Sequence, residues 1–225
     1  MKDNLTELVF ILDRSGSMGG LESDTIGGYN GFIEKQKFED GDALLSTVLF
    51  DDKFEVFHDR VDIKSAVPLT DKEYFVRGTT ALLDAIGIGI DTIGRRLKAT
   101  PEKDRPAKVL FVITTDGMEN ASKEYSAKRV KEMIQHQTDK YGWEFLFLGA
   151  NIDAVGVAKD IGIRAERAVR CNNDSVGIEM NYYAMSDTVS SYRRSRKIDE
   201  KWKDKIEDDY TKRNIKEWNR NGKEQ

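Results

Sequence analysis

The sequence predicts an α/β domain: a doubly wound, mostly parallel central sheet with one antiparallel edge strand and helices on both faces. Three observations carry this reading. Two uninterrupted apolar runs of five residues, 8–12 and 109–113, have the character of strands buried on both faces. Between and after such runs, apolar residues recur every three or four positions, as on one face of a helix. The two patterns alternate along 225 residues without an internal repeat, a length that suits one large domain.

Each element follows in order. Residues 5–12 read as the first strand, ending at Asp13. Residues 25–38 place Ile26, Tyr29 and Ile33 at helical spacing, and predict a helix that Gly27, Gly28 and Gly31 weaken. Residues 43–50 and 54–61 flank Asp51-Asp52-Lys53 and read as a hairpin, with Asp51 and Asp52 as turn residues. From Thr80 the period is helical. Leu82, Ile86, Ile90, Ile93 and Leu97 line one face, leaving Asp84 and Asp91 on the solvated side. Residues 109–113 form the next strand and run into Thr114-Thr115-Asp116-Gly117. Residues 122–137 predict a helix with Tyr125, Val130, Met133 and Ile134 inward, residues 143–148 a third buried strand, and residues 153–161 a short helix. Ile178, Tyr182, Met185, Val189 and Tyr192 step by four and three, which predicts the last helix of the domain.

The composition shifts near Arg193. From there to the end, 20 of 33 residues are charged, 12 Lys/Arg against 8 Asp/Glu, so the tail is +4 and the remainder −8. The expectation is a domain over residues 1–194 and a charged amphipathic tail over 195–225. In the tail Ile198, Trp202, Ile206 and Tyr210 recur every four residues, followed by Ile215 and Trp218. Such an aromatic stripe needs a cover, and docking back on the chain's own domain comes before a partner or a second copy. Beyond Trp218 a solvated, frayed end is expected.

Composition also excludes. Thirty-six Lys+Arg against 40 Asp+Glu leave −4, too mild for a nucleic-acid wrapper or a disordered acidic chain. No apolar run approaches the roughly 20 residues of a membrane helix, and Asp13 arrives before a secretory apolar region forms. The expectation is therefore neither nucleic acid nor membrane as a partner. With Cys171 alone there is no internal disulfide, which suits a reducing cytoplasm. Cys171 itself reads as a semi-buried small residue. His58, His136 and one cysteine cannot build a Cys/His zinc cluster, and neither histidine sits in a triad-like motif. His136 reads as a surface residue near a helix end. There is no GxxxxGK[ST] loop and no GxGxxG after a strand.

What remains is Asp13-Arg14-Ser15-Gly16-Ser17-Met18, directly after the first strand. In an extended loop alternate side chains face one way, so Asp13, Ser15 and Ser17 converge. A carboxylate and two hydroxyls make a hard oxygen cluster of the kind Mg²⁺ takes in octahedral array. Thr80, after Arg77-Gly78-Thr79, and Asp116, at the end of the 109–113 strand, add two more oxygen donors. In a doubly wound sheet, loops after the strands flanking the winding reversal meet above their carboxyl ends.

The pattern resembles the von Willebrand factor A domain and its metal-ion-dependent adhesion site (MIDAS): Asp-x-Ser-x-Ser, then a Thr after a Gly-rich turn, then an Asp in a Thr-Asp-Gly turn. The matching residues are Asp13, Ser15 and Ser17; Thr80; and Asp116 within Thr115-Asp116-Gly117. The likeness covers about residues 4–192. Asp13-Arg14-Ser15-Gly16-Ser17-Met18 and Gly78-Thr79-Thr80-Ala81-Leu82-Leu83-Asp84-Ala85 look most like bacterial, intracellular members. The resemblance implies a Rossmann-like fold and a bound Mg²⁺, with Mn²⁺ or Ca²⁺ as substitutes. It implies that Ser15 and Ser17 bind the ion directly, Thr80 directly or through water, and Asp13 and Asp116 mainly through bound waters. One position then stays open for an Asp or Glu of a protein partner. Relatives of this type are found with ATPase chaperones, stress-response and metal-resistance systems, and nothing in this sequence selects among them.

Three departures matter. Thr79 stands where many members have Gly, which leaves Thr79 and Thr80 as alternative ligands, with register favouring Thr80. Arg14 either assists an acidic ligand or holds a loop carboxylate. Glu119 is either an internal ligand of a resting state or a solvated turn residue. Two functions follow from the cluster. The first is a metal-dependent protein-interaction module without enzymatic activity; the alternative is a metal-dependent hydrolase or phosphoryl-transfer enzyme. Ser15 stands where an Asp-x-Asp pair would carry a second carboxylate, and no general base has an obvious local partner, which favours binding.

Overall fold

The computed structural model describes residues 1–221, with side chains through Asn214. Six strands form one sheet, in the order β3-β2-β1-β4-β5-β6: β1 (Lys2–Asp13), β2 (Asp42–Phe50), β3 (Phe54–Asp62), β4 (Pro106–Thr115), β5 (Glu144–Ala150) and β6 (Ala168–Cys171). Only β3 is antiparallel, at one edge, paired to β2 through the hairpin read from the sequence. The helices are α1 (Glu22–Lys37), α2 (Leu82–Ala99), α3 (Ala127–Tyr141), α4 (Ala154–Asp160), α5 (Ser175–Ser195) and α6 (Asp204–Asn221).

The two-residue period of the central strands makes two cores. Leu8, Phe10 and Leu12 of β1, with Leu110 and Val112 of β4, face α1 and α5. Val9 and Ile11, with Val109, Phe111 and Ile113, face α2, α3 and α4. Phe10 meets Tyr29 and Phe32 of α1 edge-on, while Phe111 stacks on Trp143 and Phe145. Each such side chain contributes about 1.5–3 kcal/mol on burial, so the unbroken apolar runs are what a sheet covered on both faces requires.

One glycine of α1, Gly28, has a packing reason, while Gly27 and Gly31 have open space around them. A Cβ at Gly28 would stand 2.2 Å from the ring of Tyr182 on α5, so the two helices touch there at backbone distance. α1 therefore forms over 16 residues despite its composition.

Two helix starts differ from the sequence expectation. Thr80 does not open α2 but precedes it by two residues. Its N–H donates to Asn120 Oδ1 at 2.9 Å and its carbonyl accepts from the Asn120 N–H, which holds it in a loop. Residues 122–126 are not helical either. Asp84 accepts the N–H groups of Lys123, Glu124 and Tyr125 at 2.8–2.9 Å, and Ser126 caps α3. Tyr125 OH donates to Asp91 at 2.7 Å. Asp84 thus anchors this loop, while Asp91 takes the Tyr125 hydroxyl from the exposed side of α2.

The charged tail folds back. Ile198, Trp202 and Ile206 join the core under α5 and β6, and Trp202 Nε1 donates to the Glu166 carbonyl at 2.9 Å. Tyr210 lies under the Arg170 guanidinium. The side chains of Ile215 and Trp218, and the end beyond them, lie outside the described residues. No helix among the described residues is long and apolar enough to cross a membrane.

Candidate functional site

The sheet order reverses at β1, which has β2 on one side and β4 on the other. Leu12 pairs with Thr114, so Asp13 and Thr115 leave the sheet side by side. Asp13 is buried: one carboxylate oxygen accepts the Ser15 N–H at 2.7 Å and the other the Thr115 hydroxyl at 2.6 Å. These two bonds turn the chain over the strand end and bring Ser15 and the 3-10 turn Gly16–Met18 above β4.

Here the five oxygen-bearing residues named from the sequence come together. Thr80 Oγ1 donates to Ser15 Oγ at 2.9 Å, Ser15 Oγ lies 3.2 Å from Ser17 Oγ, and Ser17 donates to Asp116 Oδ1. Ser17 has one hydroxyl proton and gives it to Asp116, so the donor of the middle bond is Ser15. Thr80 is buried and in the chain of bonds, whereas the neighbouring Thr79 is exposed and outside it. A Cβ built on Gly117 would meet Thr80 Oγ1 at 2.8 Å, Ser17 Oγ at 3.0 Å and Ser15 Oγ at 3.7 Å. Three hydroxyl oxygens therefore lie within 3.7 Å of the place a side chain at position 117 would occupy.

The charge balance of the cluster is one-sided. Burial pushes the Asp13 carboxyl above its ordinary value, against hydrogen bonds from Ser15 and Thr115. Burial likewise raises Asp116, helped by the neighbouring Asp13 charge and opposed by Ser17 and Asn173. Among the described residues, neither carboxylate has an ion-pair partner. The nearest arginine in sequence points elsewhere: Arg14 is fully buried, with Nε 2.9 Å from Asp51 Oδ2, Nη2 2.8 Å from Glu55 Oε2 and Nη1 donating to the Glu73 carbonyl. Arg77 joins the same group 2.7 Å from Asp51. Asp51 is thus a buried ion-pair partner and not merely a turn residue. Two buried carboxylates and three convergent hydroxyls without a cation form a donor set suited to a hard divalent ion. Among the described residues, no three His, Cys, Asp or Glu side chains cluster as a metal site, so hydroxyls dominate this one.

Glu119 is a half-buried turn residue whose carboxylate is engaged by the loops around it. Its oxygens accept from the N–H groups of Leu83, Ala121 and Ser122 and from the Ser122 hydroxyl, which fastens the loop before α2 to the loop after β4. Sequence reasoning missed Asn173, whose Nδ2 donates to Asp116 Oδ2 at 2.6 Å. The available signal was an Asn-Asn-Asp run just past an apolar strand, at the same sheet edge. His58 and His136 lie away from the cluster. His58 is buried among Tyr29, Thr47 and the Val67 carbonyl, and His136 is exposed on α3. Cys171 is buried below the site, and burial pushes its thiol up to about 12.

No family model and no curated protein sequence matches the chain. Solved structures do. The manganese-loaded TRAP protein of Plasmodium vivax superposes with a TM-score of 0.57 at 19% identity, over 81% of this chain and 74% of that one. Proximal thread matrix protein 1 of the mussel byssus gives 0.54 at 13% identity, over 83% of this chain and 46% of that one, and its MIDAS motif is also known with zinc bound. A von Willebrand factor type A structure from Catenulispora acidiphila gives 0.53 at 14% identity, over 83% and 42%. The chain thus corresponds to less than half the length of the mussel and Catenulispora proteins. These likenesses give the chain the von Willebrand factor A fold.

Proposed function

We propose that this chain is a divalent-cation-dependent protein-interaction domain that binds an acidic side chain of a partner. Asp13, Ser15, Ser17, Thr80 and Asp116 would hold the ion, Mg²⁺ first, with Mn²⁺ or Ca²⁺ able to replace it. The observation that carries the reading is the gathering of three hydroxyls beside Gly117, next to two buried carboxylates without an ion-pair partner among the described residues. Few anionic ligands leave a divalent ion with residual positive charge, and that charge is what an incoming carboxylate would meet. The manganese-loaded and zinc-occupied states of two proteins with this fold support a divalent ion in this one.

Binding rather than catalysis is favoured by what surrounds the cluster. Ser15 occupies the position of a second carboxylate nucleophile, and both histidines lie elsewhere. The partner is a protein presenting Asp or Glu, and an ATPase or stress-response assembly is the class carried over from the sequence resemblance. Its single, buried cysteine fits a reducing cytoplasm.

The test has two stages. Calorimetric titration with Mg²⁺ and Mn²⁺ is expected to give one site in the wild type and none in Asp116→Ala. The immobilised domain, exposed to lysate of its source in Mg²⁺, is then expected to release a partner on EDTA that the variant never retains. Equal metal binding by both proteins, or a partner held equally in EDTA, overturns the reading.

A further inference from the structure

The opposite edge of the sheet, away from the Asp13 cluster, carries a cavity. It has a volume of about 680 Å³ and lies between the C-terminal halves of α2 and α3, where β4 and β5 begin. That volume is within the range of small-molecule sites, roughly 300–1,000 Å³. Ile90, Leu97, Val109 and Trp143 close its base, none more than 9% exposed, with Trp143 stacked on Phe111.

Around this floor stand Arg95, Lys98, Arg105, Lys140 and Arg196. Asp91 is the one acidic residue of the lining, and its carboxylate already accepts the Tyr125 hydroxyl. Among the described residues, the ion pairs of this edge, Arg96 with Asp59 and Lys2 with Asp104, leave all five cations out. Arg95 and Arg105 donate only to backbone carbonyls, and Lys140 lies over the Tyr141 ring. Helix ends explain part of this. Arg95 and Lys98 sit near the end of α2, Lys140 near the end of α3 and Arg196 at the end of α5, where cations complement the helix dipole. Each helix end contributes about half a negative charge. Three such ends and Asp91 do not offset five full positive charges, so the cavity stays electropositive in a chain whose net charge is −4.

We infer that this cavity binds a small amphipathic organic anion, its apolar body on Trp143 and Leu97 and its acidic head among Lys98, Lys140 and Arg196. An apolar floor selects for a carbon body, and unpaired cations at the mouth select the sign of the head. The site is independent of the metal reading and is expected to work unchanged in EDTA.

Decanoate is the probe, and decyltrimethylammonium, with the same chain and the opposite head, is the control. Titration of the full chain in EDTA, followed by amide and indole NMR shifts, is expected to show decanoate binding at one site that moves Trp143 and Gly142. The cationic control is expected to bind about tenfold more weakly or worse, and Lys98→Ala with Lys140→Ala to weaken decanoate by about tenfold. Gly94→Leu supplies a blocking variant that keeps the fold. Gly94 lines the cavity within α2, and a Cβ there would meet nothing closer than Gln137 Nε2 at 3.9 Å. Replacing a mid-helix glycine also favours the helix. Decanoate binding is expected to vanish in Gly94→Leu while its melting temperature stays at or above that of the wild type. Equal binding of the two heads, decanoate binding that survives Gly94→Leu, or no shift at Trp143 would each overturn the inference. So would an acidic peptide that binds there where decanoate does not.

Discussion

Arg14 and Asp51, both fully buried, face each other across 2.9 Å between the loop after β1 and the turn after β2. The arginine inside the Asp13–Ser17 motif therefore supports the loop from beneath and adds no charge to its outer face. Burial alone would raise the Asp51 carboxyl, but hydrogen bonds from Arg77 and Arg14 outweigh it and hold the group below its ordinary value. Removing one member of such a group leaves a buried charge short of a partner, at about 3–5 kcal/mol when no other partner remains. Arg77 stays with Asp51, so Arg14→Met is expected below that range, at about 2 kcal/mol by urea denaturation. A loss well under 1 kcal/mol would mean that the Arg14 group is not structural.

The carboxylates above it behave in the opposite sense. Asp13 and Asp116 are raised by burial, so their contribution is fullest below the ordinary value of 3.8 and is lost as pH climbs through the folded value. At neutral pH and without metal, both ionised groups oppose folding. Asp116→Asn is therefore expected to be at least as stable as the wild type in EDTA. In Mg²⁺ the order should reverse, since an ion at a hundredfold excess over its Kd adds about 2.7 kcal/mol to the protein that binds it. Parallel urea curves with and without Mg²⁺ check both halves. A variant gaining as much from Mg²⁺ as the wild type would remove Asp116 from the site.

Asn173 gives a gentler test of the same geometry. Its amide fixes the Asp116 oxygen that Ser17 does not use, without itself facing the three hydroxyls. Groups that orient a metal ligand typically affect affinity by about 10–100-fold when lost. Asn173→Ala is expected to weaken Mn²⁺ binding by about tenfold, measured calorimetrically, with little change in the EDTA stability. Unchanged affinity would show that Asp116 is held well enough by Ser17 alone.

How much of this was legible in the sequence varies element by element. The strands were, because residues 8–12 and 109–113 have no polar interruption, and only a sheet covered on both faces needs that. The five oxygen-bearing side chains were legible too, since short motifs at strand ends carry them. The loop between β4 and α3 was not. Residues 122–125 have helical spacing, but Asp84 takes three of their N–H groups from another helix, a contact 39 to 41 residues away in sequence. Asp51 reads only as a turn residue for the same reason, since its partners Arg14 and Arg77 lie 37 and 26 residues away, while for Arg14 the holding of a loop carboxylate is the alternative the structure bears out. A charged residue in a loop reads as solvated until its partners are known.

The tail provides a stability test of its own. Trp202 is 7% exposed and bonded to the Glu166 carbonyl, and Ile198 and Ile206 flank it in the core. Trp202→Ala is expected to cost about 3–5 kcal/mol, the range for a large buried aromatic. Trp202→Phe should recover most of the packing and lose only the indole bond. Equal, small losses for both would mean that the segment is not part of the cooperative unit.

His58 sets a pH dependence far from the metal cluster. The ring is 2% exposed, and its Nε2 donates to the Val67 carbonyl at 3.1 Å, so Nδ1 of the neutral ring accepts from the Thr47 or Tyr29 hydroxyl. Burial depresses the imidazole below its ordinary value of 6.5, against the opposing pull of the Val67 bond. A depressed histidine gives stability that is present above the unfolded value and is lost as pH falls toward the folded one. Unfolding free energy is therefore expected to decline as pH drops below about 6.5, with a slope from this one group of at most about 1.4 kcal/mol per pH unit. His58→Gln should begin lower, having lost a buried bond, and should lack that component of the slope. Both are read from urea midpoints at several pH values between about 7.5 and 5.5. A wild-type curve that is flat across this window would mean that the ring takes up its proton without leaving its site, with Nδ1–H donating to the hydroxyls that now donate to it.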